Sequence, residues 1–309
     1  LYFINVTANG LDSGQVRIFK YQNGSWTQVG NDILGDGEED YNGYSVSLSS
    51  DGLTVAIGAP VNGTYSGQVK IFKYQNDNDS WTQLGGDILG DAAYDQSGYS
   101  VSLSDDGSTV AIGAIGKDDI DNNKYDIGQV RIFKYQNGSW TQVGNILGDT
   151  ASDQSGWSVS LSDDGSTVAI GAIWNDGSND NSDIGQVKIF KYQNDSWTQL
   201  GDDILGDTAY DQSGWSVSLS GDGSTVAIGA VGKDGSNDNY DIGQVKIFKY
   251  QNDNDRWTKL GVDILGDTEN AQSGWSVSLS GDGSTVAIGA YLNGDNGVDS
   301  GQVKIFKFK

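Results

Sequence analysis

Residues 156–172 read Gly-Trp-Ser-Val-Ser-Leu-Ser-Asp-Asp-Gly-Ser-Thr-Val-Ala-Ile-Gly-Ala. In both halves apolar side chains alternate with small ones, which is the period of a strand and not of a helix. Between them stands Asp164-Gly165, a tight-hairpin signal because Gly accepts positive φ. The same two strings recur. Ser-Val-Ser-Leu-Ser begins at Ser45, Ser100, Ser158, Ser216 and Ser276, and Thr-Val-Ala-Ile-Gly-Ala begins at Thr54, Thr109, Thr167, Thr225 and Thr285.

Two further strings complete the unit. Gly-Gln-Val-Lys/Arg-Ile-Phe-Lys starts at Gly14, Gly67, Gly128, Gly185, Gly243 and Gly301, in steps of 53, 61, 57, 58 and 58 residues. Trp-Thr-Gln/Lys-Val/Leu-Gly follows at Trp26, Trp81, Trp140, Trp197 and Trp257. Four short strands per unit, repeated about six times, predict an all-β chain folded as a β-propeller of four-stranded antiparallel blades. Residues 1–309 form a single domain on this reading, with incomplete first and last repeats. Six blades are expected, with five or seven as alternatives. The Ser-rich string is placed innermost, where blades crowd together.

Composition sets the chemistry. With no His and no Cys, the chain offers no imidazole base, no thiolate and no N/S metal site. A formal charge of −24 opposes nucleic acid or an anionic bilayer as partner, and no apolar run approaches a membrane span. Twelve of the 18 basic residues lie in the Gly-Gln-Val-Lys/Arg strands, so the loops are nearly all acidic.

The repeated unit, with its Gly-Trp/Tyr before Ser-Val-Ser-Leu-Ser and its Gly-Ala after Ala-Ile, resembles the FG-GAP repeat of integrin-α-like propellers. Tyr44, Tyr99, Trp157, Trp215 and Trp275 stand for the family Phe, and Gly58-Ala59-Pro60 is the one full Gly-Ala-Pro. The resemblance covers essentially the whole chain. It implies an extracellular or surface-exposed, non-enzymatic module for adhesion, recognition or scaffolding, often calcium-stabilised. The family's long Asp-x-Asp-x-Asp-Gly loop between the first two strands is here only Ser-x-Asp-Gly, too short for six oxygens.

Candidate calcium ligands therefore lie elsewhere, in the loops before Gly-Gln-Val: Asp118, Asp121 and Asp126; Asp176, Ser178, Asp180 and Asp183; Asp234, Ser236, Asp238 and Asp241. Oxygen side chains at alternate positions let a loop curl round a hard cation; a solvated Asn/Asp/Gly turn has the same composition. Trp157, Trp215 and Trp275 could form sugar-stacking platforms, as in a multivalent lectin, or pack between blades. Trp174 is a non-repeated aromatic in an acidic loop and a candidate contact residue for a protein or glycan at a cell or particle surface. The recurring acids Asp36/Asp40, Asp91/Asp95, Asp149/Asp153 and Asp207/Asp211 suggest hydrogen-bonded turns between blades. Sequons occur at Asn5, Asn23, Asn62, Asn78, Asn137 and Asn194. A polysaccharide-active lyase or hydrolase is the less favoured alternative, since nearly every Asp recurs blade after blade. Near-identical repeats also permit self-assembly.

Overall fold

The computed structural model describes residues 10–177, 182–236 and 240–308. Five successive sheets each open on the Ser-rich string. Blade 1 runs Ser45–Leu48, Thr54–Ala59, Gln68–Gln75 and Ser80–Gln83, and Ile88–Leu89 returns onto its third strand. Blade 2 opens at Ser97–Leu103, blade 3 at Ser158–Leu161, blade 4 at Ser213–Leu219 and blade 5 at Ser276–Leu279. All pairings within the blades are antiparallel, so the propeller of meanders stands.

Among the described residues the blade count is five, which corrects the expected six. The first Gly-Gln-Val copy has no Ser-Val-Ser-Leu string before it. Its strands pair only with one another among the described residues, Gln15–Val16 with Ile33–Leu34 and Phe19–Gln22 with Ser25–Gln28. This ribbon packs on blade 1 through Val16, Ile18 and Ile33 against Val55 and Ile57.

The Ser-rich string is innermost, and its serines join the blades. Ser45, Ser100, Ser158 and Ser216 each donate Oγ to the carbonyl of Gly98, Gly156, Gly214 or Gly274 of the next blade, all at 2.7 Å. Two residues on, Ser47, Ser102, Ser160 and Ser218 accept the N–H of the next blade's Leu103, Leu161, Leu219 and Leu279 at 2.9–3.0 Å. The third serine folds inward: Ser162 Oγ donates to Asp164 and accepts from the Thr167 N–H, closing the Asp-Gly turn. At those turns the backbone links blade to blade, Ser50 N–H to Asp105 O, Asp105 to Asp163, Asp163 to Gly221 and Gly221 to Gly281.

Such close approach leaves no room on the second strand. A Cβ at Gly58, Gly113, Gly171 or Gly229 would lie 2.1–2.2 Å from the next blade's carbonyl oxygen. Further out, apolar residues of neighbouring blades interdigitate, as Ile132 and Ile146 do with Leu161, Val168 and Ile170. Each fourth-strand Trp also reaches back a blade. Trp81, Trp140 and Trp257 donate Nε1 to Val29, Leu84 and Leu200 carbonyls at 2.7–2.8 Å and lie over Gly30, Gly85 and Gly201.

Blade 2 departs from this pattern for a reason visible in the chain. From Trp140 to Ile146 there is one residue fewer than from Trp81 to Ile88. Its fourth strand therefore runs unbroken from Ser139 to Leu147, and the Trp197 Nε1 that should meet it is buried without a partner.

Charge completes the joints. Lys70, Arg131, Lys188, Lys246 and Lys304 pair with Asp36, Asp91, Asp149, Asp207 and Asp267, each carboxylate standing just past the preceding fourth-strand segment. The other recurring acids cap the linker turns: Asp40 accepts from the Gly37 N–H, Asp95 from Ala92, Asp153 from Thr150 and Asp211 from Thr208. The expected hydrogen-bonded turns are thus present.

Two predictions follow from these joints. Gly171→Ala should cost about 1–3 kcal/mol or more by overpacking, whereas Gly86→Ala, with nothing within 4 Å of its Cβ and φ outside the left-handed region, should be neutral or slightly stabilising; urea melts of the two variants decide it. Trp257→Phe should cost about 1 kcal/mol more than Trp197→Phe, because only Trp257 forfeits a hydrogen bond.

Candidate functional site

Where the linkers enter the inner strands, the aromatics form one continuous row. Tyr44, Tyr99, Trp157, Trp215, Trp275 and Tyr291 follow one another with centroid separations of 5.0, 4.9, 5.0, 4.6 and 4.2 Å and tilted planes. The first five are the Trp/Tyr of the repeat. Tyr291 stands where Pro60, Ile115, Ile173 and Val231 follow Gly-Ala in the other blades, and extends the row within blade 5. Tyr99, Trp157 and Trp215 are half-buried, while Tyr44, Trp275 and Tyr291 are more than a third exposed. Burial, together with a hydrogen bond to Tyr44, pushes the Tyr99 hydroxyl well above the ordinary phenol range. The row is thus both interblade packing and an exposed aromatic surface.

The loops between second and third strands open at this same end. Trp174 lies here, half-buried, its Nε1 donating to Gln154 Oε1 at 2.9 Å, so it folds back on the linker and does not project. One position in these loops faces the turn-capping acid and varies by blade. It is Asn62 against Asp40, Lys117 against Asp95, Asn175 against Asp153 and Lys233 against Asp211. In blade 5 the acid is Ala271, and Asn293 turns to Thr268. Lys117 lies 3.6 Å from the buried Asp95 carboxylate; Lys233 lies 3.5 Å from Asp211 and donates to Thr208 Oγ1 at 2.9 Å. Two ammonium groups set in an acidic face were not singled out from the sequence, where each reads as an isolated loop Lys.

Among the described residues the proposed calcium ligands come together only in pairs. The Asp126, Asp183 and Asp241 N–H groups donate to Asp118, Asp176 and Asp234 at 2.9–3.0 Å. Burial and then the neighbouring carboxylate hold Asp126, Asp183 and Asp241 above the usual carboxylate range. Asp121 sits on the short turn Ile120–Asn122 instead, and Ser236 bonds to neither member of its pair. Ser178, Asp180 and Asp238 lie outside the described residues. Among the described residues no three carboxylates converge, short of the six to eight oxygens calcium takes.

The sequons fall mostly at hairpin tips. Asn23, Asn137 and Asn194 adopt φ of 51–52° there, and Asn78 is exposed beside Ser80. Asn62 spends its amide on Asp40, and Asn5 lies outside the described residues.

The FG-GAP repeat family matches residues 140–190 and 267–306. The chain carries FG-GAP repeats on a β-propeller fold. No curated protein matches this FG-GAP chain in sequence. Among solved structures it is similar to a Bacteroides uniformis protein named as a 6-phosphogluconolactonase, at 15% identity over 98% of this chain and 80% of that one, with a TM-score of 0.59. The periplasmic gluconolactonase of Pseudomonas aeruginosa gives 17%, 99%, 78% and 0.58, and the hydrazine synthase of Kuenenia stuttgartiensis 14%, 95%, 77% and 0.55. At such identities the likeness establishes the fold.

These neighbours correct the expected function. A non-enzymatic adhesion, recognition or scaffold module was read from the repeat, yet two proteins that share the propeller over nearly the whole FG-GAP chain carry lactonase names. No helix among the described residues is long and apolar enough to cross a membrane.

The paired carboxylates yield a pH prediction. A raised folded pKa means the folded state holds its proton more tightly, so the contribution is favourable at low pH and is lost as pH rises through the folded value. Asn at 126, 183 and 241 keeps the N–H bonds and tolerates φ of 49–56°. The triple variant should melt higher than the parent at pH 7, and the gain should vanish below about pH 4, near the ordinary carboxylate pKa.

Proposed function

We propose that this FG-GAP propeller is an exported hydrolase of sugar lactones whose substrate lies against the aromatic row. The observation that carries the reading is the row itself. Six rings stand in sequence, and the exposed ones, Tyr44, Trp275 and Tyr291, offer apolar surface of the kind a pyranose stacks on, at the end of the propeller where the variable loops open. The lactonase names of two fold neighbours supply the reaction class to test, and the periplasmic location in one name supports export.

With no His or Cys, the chemistry falls to carboxylates and lysines. Water adds to the lactone carbonyl as a loop carboxylate takes its proton, and Lys117 or Lys233 stabilises the developing oxyanion. The ring C–O bond then breaks, the departing oxygen is protonated, and a hydroxy acid leaves. Lactone plus water gives the acid with no other reactant.

The test is titration of acid released from D-glucono-1,5-lactone, corrected for the spontaneous rate. Trp157→Ala and Trp215→Ala should raise KM, and Lys117→Met with Lys233→Met should lower kcat by about a hundredfold. A rate equal to the uncatalysed one would end the proposal.

A further inference from the structure

Four fourth strands begin Ser-Trp-Thr-Gln, at Ser25, Ser80, Ser139 and Ser196; in blade 4 the same positions read Arg256-Trp-Thr-Lys259. Both changes add positive charge, in a chain with only 18 basic residues against 42 acids. Both side chains line a cavity of about 430 Å³ at the outer junction of blades 3 and 4, away from the aromatic row, together with Lys246, Asp202, Asp203 and Trp257.

The charges there are not balanced pair by pair. Lys246 is buried and holds Asp207 at 2.5 Å, and Lys259 holds Asp263 at 2.8 Å. Asp203 is occupied by Gln186 and Gln199 at 2.7 Å. The Arg256 side chain makes no ion pair or hydrogen bond among the described residues, nor does that of Asp202. An unpaired guanidinium and an unpaired carboxylate therefore line one cavity, which the ammonium groups of Lys246 and Lys259 also line. Blades 1–3 and the first ribbon hold Ser and Gln where this cationic pair stands.

From this we infer that the blade 3–4 cavity binds a sugar acid. A guanidinium fork in a cavity that two ammonium groups also line suits a carboxylate, the Asp202 oxygens accept sugar hydroxyls, and the volume suits one or two sugar rings. The inference is independent of the lactonase reading, since none of these residues belongs to the aromatic row or to its lysine pairs.

The experiment is calorimetric titration of the full chain with D-galacturonate, with D-glucose and inorganic sulfate as probes of sugar and charge alone. The variant R256S/K259Q restores the residues of the other blades, so its melting temperature reports that folding is intact. Saturable galacturonate binding, weakened about tenfold or more in R256S/K259Q and unchanged in Trp157→Ala, is the expected result. Absence of binding, equal binding of glucose, sulfate binding as tight as the sugar acid, or affinity unchanged in R256S/K259Q would each overturn it.

Discussion

The contact between a serine hydroxyl of one inner strand and a glycine carbonyl of the next sets the geometry of the whole molecule. It fixes inner strands at hydrogen-bonding distance, and a second contact two residues later, from a leucine N–H to a serine oxygen, fixes their register. Every larger feature inherits that spacing. The second-strand glycine must lack a Cβ because the neighbour's carbonyl already occupies its place. The aromatic immediately before each inner strand is carried within about 5 Å of the next, so the row is a by-product of strand spacing as much as of aromatic attraction.

Charge is arranged by the same repetition. The basic residue of each third strand reaches an acid at the start of its blade's linker, which places most of the cations inside the joints and leaves the loop faces acidic. These half-exposed pairs are worth little singly; their recurrence at every joint gives them direction, since each ties the path of the linker to the blade it enters. What remains unpaired stands out against that background. The Arg256 side chain at the outer edge is such a charge, and Lys117 and Lys233, though they face Asp95 and Asp211, stand where other blades manage with Asn.

Much of the fold was legible because the chain states it five times. The period-two strings, the Asp-Gly turns and the innermost place of Ser-Val-Ser-Leu-Ser all appear as read, for the local reason that small side chains suit crowded strands. Blade number was not legible in the same way. A Gly-Gln-Val string counts as a strand in the sequence, but a blade needs an inner strand, and the first copy has none among the described residues. The site was read only in part. Trp157, Trp215 and Trp275 were read as repeated aromatics that pack between blades or stack on sugars, but their spacing did not tell that the rings would join in one continuous row. Trp174 looked like a contact residue because it was unique, yet Gln154 holds it down. The informative residues were substitutions within the repeat, Arg256 for Ser and Lys117 for Asn, and these emerge only when repeats are aligned position by position.

The joints also bear on how such a chain changes over generations. Because each blade presents the same donors and acceptors to its successor, any blade can follow any other without new surface having to arise. The one-residue shortening in blade 2 shows the tolerance of the arrangement, since it disturbs one indole and leaves the neighbouring strands in place. Duplication or loss of a whole unit by misaligned recombination therefore yields a chain whose blades still fit one another. Individual copies are free to collect charges such as Arg256 while their siblings keep the scaffold intact.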